Sequence, residues 1–191
     1  TTPSYAVTWD STGVSDGSHT VLAVARDTSS NYATSTAAAV TVDNTAPSRS
    51  NGTPSGTLSY GTTGTTIGLD TNETATCKYS TSAATAYGSM TSFSSTNSTT
   101  HSSSVTGLTN GTSYTYYVKC SDGQGNVNAT DYSISFSVAA DVTVPSVTLT
   151  SPTNNSRVSG SSVSLAATAS DDVAVAGVKF YVDGALVGSE D

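Results

Sequence analysis

Two histidines, two cysteines and several recurring Asp and Asn residues are the side chains with chemistry to offer in this 191-residue chain. His19 and His101 fall in stretches that read as strands or at their starts. Neither stands beside a candidate nucleophile, so neither has the setting of a general base. There is no Gly-rich phosphate loop, zinc-type spacing or nucleophile elbow, and the expectation is that the chain is not an enzyme. The acidic residues recur at matched places: Asp27 and Asp122 each precede an Asn by four positions, at Asn31 and Asn126. Two similar segments follow, Asp43-Asn44-Thr45-Ala46-Pro47 and Asp141-Val142-Thr143-Val144-Pro145, whose prolines stiffen the backbone.

Composition narrows the fold class. Charged residues make up 10% and hydrophobic residues 35% of the chain, against roughly 25% and 45 to 50% in an ordinary globular domain. Thr, Ser, Gly and Ala fill the difference, so the chain must use small, thin cores. Thr and Val favour pleated strands, and Gly and Asn punctuate turns. The formal charge of −8 argues against nucleic acid and anionic membranes as partners, because both need clustered Lys and Arg; cations fit better. No run approaches the roughly 20 apolar residues of a membrane span. With neither an initiating Met nor a leader-like start, the chain reads as an internal segment of something larger, with export signals elsewhere.

The clearest unit is central. Leu108-Thr109-Asn110-Gly111-Thr112-Ser113-Tyr114 is a turn entering an alternating strand that runs through Tyr116 and Val118 to Cys120. Residues 48–140 resemble a fibronectin type III sandwich, in which the position of Tyr114 supplies a hydroxyl that bonds back to the preceding turn. Strands are expected at 65–70, 74–80, 100–105 and 132–138. The segment from Asp16 to Asp27 repeats the same turn and strand, with His19 at the Tyr114 position, yet too few residues precede it to supply the first strands of a sandwich. Those appear at the other end, at 147–149, 163–167 and 178–182, the last followed by an Asp183-Gly184 hairpin turn. Joined through Asp191 and Thr1, the two ends resemble one bacterial immunoglobulin-like module. The fold expected is therefore all-β, with two immunoglobulin-like or fibronectin type III-like sandwiches. Residues 48–140 form one. The other is split, with 141–191 as its first half and 1–47 (strands E to G) as its second, completed by the adjacent copy. This is a circularly permuted repeat unit, and a head-to-tail contact of this kind propagates a filament.

The resemblance implies more about the chemistry. Cys77 and Cys120 fall on neighbouring strands and both point inward, so a disulfide closing roughly 40 residues would add about 3 to 4 kcal/mol and imply an oxidising compartment; two reduced, packed thiols are the alternative. In such sandwiches the incoming linker lies beside two loops. One junction would gather Asp43, Asn44, Asp70, Glu73 and Asp122, the other Asp141, Asp171, Asp172 and Asp27. Adhesins built from similar modules stiffen such linkers with calcium, which takes oxygen ligands; carboxylates that cap turns are the alternative. Asn51, Asn72, Asn97, Asn110, Asn128 and Asn154 begin glycosylation sequons, leaving glycosylation open. Tyr5, Val7 and Trp9 alternate as a strand with a core face, whereas Tyr117 and Tyr181 point away from the cores. The function expected is a structural repeat of an extracellular filament, stalk or surface adhesin, with adjacent copies as partners. Glycan- or protein-binding modules, or spacers in a secreted hydrolase, are the alternatives.

Overall fold

A computed structural model describes residues 4–190. The chain divides into two compact units, Thr1–Val138 and Ala139–Asp191. The expected junction of Asp191 with Thr1 lies outside the described residues.

The first unit contains an F–G-type hairpin and a complete sandwich. The hairpin runs up through β1 (Gly17–Val21) and β2 (Val24–Arg26) and returns through β3 (Tyr32–Thr34) and β4 (Ala38–Val42). β2 pairs with β3 and β1 with β4, placing His19 opposite Val40 and Arg26 opposite Tyr32. The sandwich comprises β5 (Arg49–Thr53), β6 (Gly56–Leu58), β7 (Gly64–Ser80), β8 (Thr91–Ser92), β9 (Ser98–Thr106), β10 (Ser113–Ser121) and β11 (Tyr132–Val138).

β7 turns the corner of this sandwich. Its first part pairs with β5 and β9, its second with β8 and β10, and a register shift between Asp70 and Ala75 separates the two. Sequence reasoning places two strands here with a loop between them. The structure instead has one continuous strand, because Thr71-Asn72-Glu73-Thr74 contains no Gly or Pro to break extension. From β10 the second sheet continues through β11 to β6, which pairs parallel.

Alternation in these strands aims Ile67, Cys77, Val118, Cys120, Ile134 and Val138 inward, and all six are essentially fully buried. Burying an aliphatic side chain of this size contributes about 1.5 to 3 kcal/mol. Phe136 stacks between Tyr114 and Tyr116, with centroids 5.6 and 6.0 Å away. The Tyr114 hydroxyl accepts the Thr109 N–H at 2.8 Å, tying strand to turn. His19 makes the parallel contact in the hairpin, its Nε2 lying 2.7 Å from the Ser15 carbonyl oxygen.

In the second unit, β12 (Ser146–Ser151) pairs with β13 (Ala166–Ser170), and β14 (Val178–Val182) with β15 (Ala185–Glu190). The β13 strand lies three residues beyond the predicted 163–167. Asp183 and Gly184 have φ of 48° and 82°, the left-handed pair that a two-residue hairpin requires. All of these pairings are two-stranded. Tyr5, Val7 and Trp9 also depart from expectation. Residues 4–10 form no strand, and Tyr5 and Val7 are 91% and 93% exposed, because the described residues offer them no partner strand.

Cys77 and Cys120 face each other across β7 and β10 and form a disulfide spanning 43 residues. Loop-closure entropy for that span corresponds to about 4 kcal/mol. Replacing both cysteines with Ala should lower the urea-unfolding free energy of the sandwich by about that amount; a loss below about 1 kcal/mol would assign its stability to packing alone.

Candidate functional site

The segment joining hairpin to sandwich is held from both sides. From the hairpin, the Asp16 carboxylate accepts the Asn44 N–H at 2.7 Å and the Thr45 hydroxyl. From the sandwich, Asn126 Nδ2 donates to the Asp43 carbonyl at 3.0 Å and Asn128 Nδ2 to the Pro47 carbonyl at 2.8 Å. Asn72 accepts the Ser48 N–H at 2.7 Å, and Pro47 is fully buried. Asn128 also accepts the Cys120 N–H, so this sequon side chain is committed to the fold.

Asn126 is itself fixed by a tight turn. Asp122 Oδ1 accepts the backbone N–H of Gln124 and Asn126, and Oδ2 accepts Asn126 Nδ2 at 2.7 Å. Burial raises the Asp122 pKa, but these donors outweigh it and the net shift is downward. The carboxylate therefore stays ionised, oriented beside the linker.

Three carboxylates converge here. Asp43, Glu73 and Asp122 bring oxygens within 4.8 Å of one another. Burial, followed by the charges of Asp43, Asp122 and Asp16, raises the Glu73 pKa. The Glu73 backbone is positioned through Thr71, whose hydroxyl donates to the Glu73 carbonyl at 2.6 Å and contacts His101 Nε2 at 3.0 Å. Thr96 meets His101 Nδ1 at 3.0 Å. Burial pulls the His101 pKa down, against the charge of Asp70, and the imidazole acts as a neutral strut between two threonines.

Of the other two residues expected at this junction, Asp70 is outside the carboxylate group and the Asn44 side chain bonds away from it. Asp70 accepts Asn51 Nδ2 at 2.8 Å, and Asn44 Nδ2 donates to the Ser11 carbonyl at 3.0 Å. Asp16, which sequence reasoning took only as a turn residue, is the one it missed. The oxygen-only donor set suits a hard cation, with carbonyls or water completing a shell of six or more.

In the second unit Asp141, Asp171 and Asp172 form a similar trio. Asp141 accepts the Thr143 N–H at 2.9 Å, matching Asp43 with Thr45, and the Thr143 hydroxyl donates to Asp172 at 3.2 Å. Asp171 Oδ1 accepts the Val173 N–H, while its Oδ2 is buried without a hydrogen-bond partner. Asp27, the fourth residue expected with this trio, belongs to the first unit. It sits in a turn like that of Asp122, accepting the backbone N–H of Ser29 and Asn31 and Asn31 Nδ2.

The second unit consists of two antiparallel two-stranded pairs, and residues 145–191 match the family model described as "Bacterial Ig domain". This segment is similar to a bacterial Ig domain. A comparison with the curated proteins found no match. The bacterial Ig-like segment and the disulfide are together compatible with a structural module at a surface or outside the cell.

Because the Glu73 pKa is raised, its ionisation opposes folding above its ordinary value of 4.5, and that cost disappears as pH falls. In chelator at neutral pH, Glu73→Gln should unfold at higher urea than the parent, with the gap closing as pH is lowered through the raised pKa. A variant less stable than the parent at neutral pH would show that the carboxylates do not repel.

Proposed function

We propose that this chain is a structural repeat unit of an extracellular filament, stalk or surface adhesin, joined head to tail with adjacent copies and performing no catalysis. One observation carries the reading. Both terminal segments consist of two-stranded pairs, β1–β4 and β2–β3 at one end and β12–β13 and β14–β15 at the other, and each leaves apolar side chains open to solvent. Leu22 and Val24 are both 57% exposed in the hairpin, and Val147 and Leu149 are 64% and 55% exposed in the bacterial Ig-like segment. A two-stranded ribbon cannot bury an apolar face alone. The 1–47 hairpin of one copy would complete the 141–191 half-module of the next, giving a circularly permuted repeat of two sandwiches. The doubly held Asp43–Pro47 linker supports a mechanical role, since a fixed junction transmits force and direction along a rod.

Calcium is the cofactor that fits this reading. At the first junction Asp43, Glu73 and Asp122 would hold it, and neutralising their repulsion would lock linker to sandwich. Asp141, Asp171 and Asp172 would hold a second ion.

Extracellular modules of this kind bind calcium with Kd of about 0.1 to 1 mM. About 10 mM calcium should then stabilise the parent by roughly 1.4 to 2.7 kcal/mol in urea titration, and Glu73→Gln should lose most of that increment. Equal stability in calcium and chelator would remove the ion from the account. For the assembly, electron microscopy of concentrated protein should find filaments with a two-sandwich axial repeat. Isolated particles at every concentration would overturn the filament reading.

A further inference from the structure

The outgoing strand of the 17–42 hairpin follows β10 position by position, and its return strand is one residue shorter than that of the β10–β11 hairpin. Tyr114 pairs with Phe136 and Tyr116 with Ile134; His19 pairs with Val40 and Val21 with Ala38. At the other end Ser121 pairs with Val127, and Arg26 pairs with Tyr32. Both hairpins then close in the same turn. Asp122 takes the Asn126 N–H at 2.8 Å and its Nδ2 at 2.7 Å; Asp27 takes those of Asn31 at 2.8 Å each.

The two hairpins differ in what lies beside them. In the sandwich, Asn126 Nδ2 also donates to the Asp43 carbonyl, and β10 lies against β7 with Cys120 opposite Cys77 and Val118 opposite Tyr79. In the N-terminal hairpin the second Nδ2 proton of Asn31 has no acceptor among the described residues, and the edge of β2 away from β3 has no strand partner there. The bacterial Ig-like segment holds the counterparts. Asp141 heads the linker equivalent to that of Asp43, and Val178-Lys179-Phe180 aligns with Cys77-Lys78-Tyr79. Val178 and Phe180 are half-buried on one face of β14, whose edge away from β15 is also unpaired.

Chain length bears on which copy supplies the partner. The Asp27–Asn31 turn lies at the end of its hairpin far from the Asp43–Pro47 linker, because β1 starts beside that linker and β2 ends at Arg26. That linker is held near Cys120, whereas Val138 donates to Thr112 at the opposite end of β10. The hairpin and β10 are each about 30 Å long at roughly 3.3 Å per residue. Asp141 lies three residues after Val138, a reach of about 10 Å. With the hairpin pointing away from the sandwich, a reach of that size leaves Asn31 to the Asp141 of another copy.

Resting on the head-to-tail reading, we propose that the Asp27–Asn31 turn and the free edge of β2 receive the linker and β14 of a second copy, in the register that β10 and β7 use. Asn31 Nδ2 donates to the Asp141 carbonyl, Ala25 lies opposite Val178, and Ala23 lies opposite Phe180. The small Ala23 and Ala25 leave room for the larger side chains across from them. On the outer face, the same register sets Leu22 beside Tyr181, two exposed apolar side chains that cover each other.

The test uses single-cysteine additions to the full chain. Ala25→Cys and Val178→Cys proteins, mixed in a glutathione redox buffer and run without reductant, should give a disulfide-linked heterodimer. Val24→Cys mixed with Val178→Cys should give none, since that shift of one residue puts the side chains on opposite faces. Sedimentation of the parent chain runs alongside. Assembly without the Ala25–Val178 heterodimer, or with an equal yield from the Val24 mixture, overturns the register and leaves the filament reading standing. Neither assembly nor heterodimer overturns both. Homodimers from Ala25→Cys alone would mean that two hairpin edges pair with each other, which also overturns the proposal.

Discussion

A β-hairpin has two faces and two edges, and two strands cannot cover them. In the complete sandwich that requirement is met by β7, which runs through both sheets and gives β10 an edge to pair with and Val118 and Cys120 a core to enter. The N-terminal hairpin has similar pairing and the same closing turn but, among the described residues, no equivalent of β7. Its open edge, its exposed Leu22 and Val24 and the strandless stretch around Tyr5 and Val7 all follow from that one missing strand. So does the condition of the bacterial Ig-like segment, where β12–β13 and β14–β15 are separate ribbons. Paired strands with unpaired edges invite further pairing, and under the proposed head-to-tail reading another copy would supply it.

The junction between hairpin and sandwich is a linker fixed from both sides. Short polar side chains do the holding: Asp16 from one side, Asn126 and Asn128 from the other, with Pro47 buried between them. Each bond is worth only about 1 kcal/mol net, but together they leave the linker few alternatives. The carboxylates that orient these donors also repel one another around Glu73, so the same residues that fix the linker gather like charges in one place.

Much of this was legible in the sequence because turns and alternation are local. The Gly111-to-Cys120 pattern located β10, the inward placement of Cys77 and Cys120 anticipated their disulfide, and Asp183-Gly184 marked the last hairpin turn. Legibility failed where geometry depends on distant partners. The continuity of β7 through Thr71–Thr74 reflects two sheets sharing one strand, and no local signal distinguishes that from a short loop. Asp70 and Asp122 look alike as loop-end acids, yet Asn51 draws one away while Asn126 holds the other at the linker. Asp16 was hidden because its partners, Asn44 and Thr45, lie on the far side of the hairpin.

Amide hydrogen exchange followed across protein concentration tests the central claim most directly. If the half-modules complete each other between copies, protection at Val24–Arg26 and at Val178–Val182 should rise together with concentration, while β10, already between two strands, stays unchanged. Fast exchange in both segments at every concentration would contradict the account and leave the two ends as independent, incomplete ribbons.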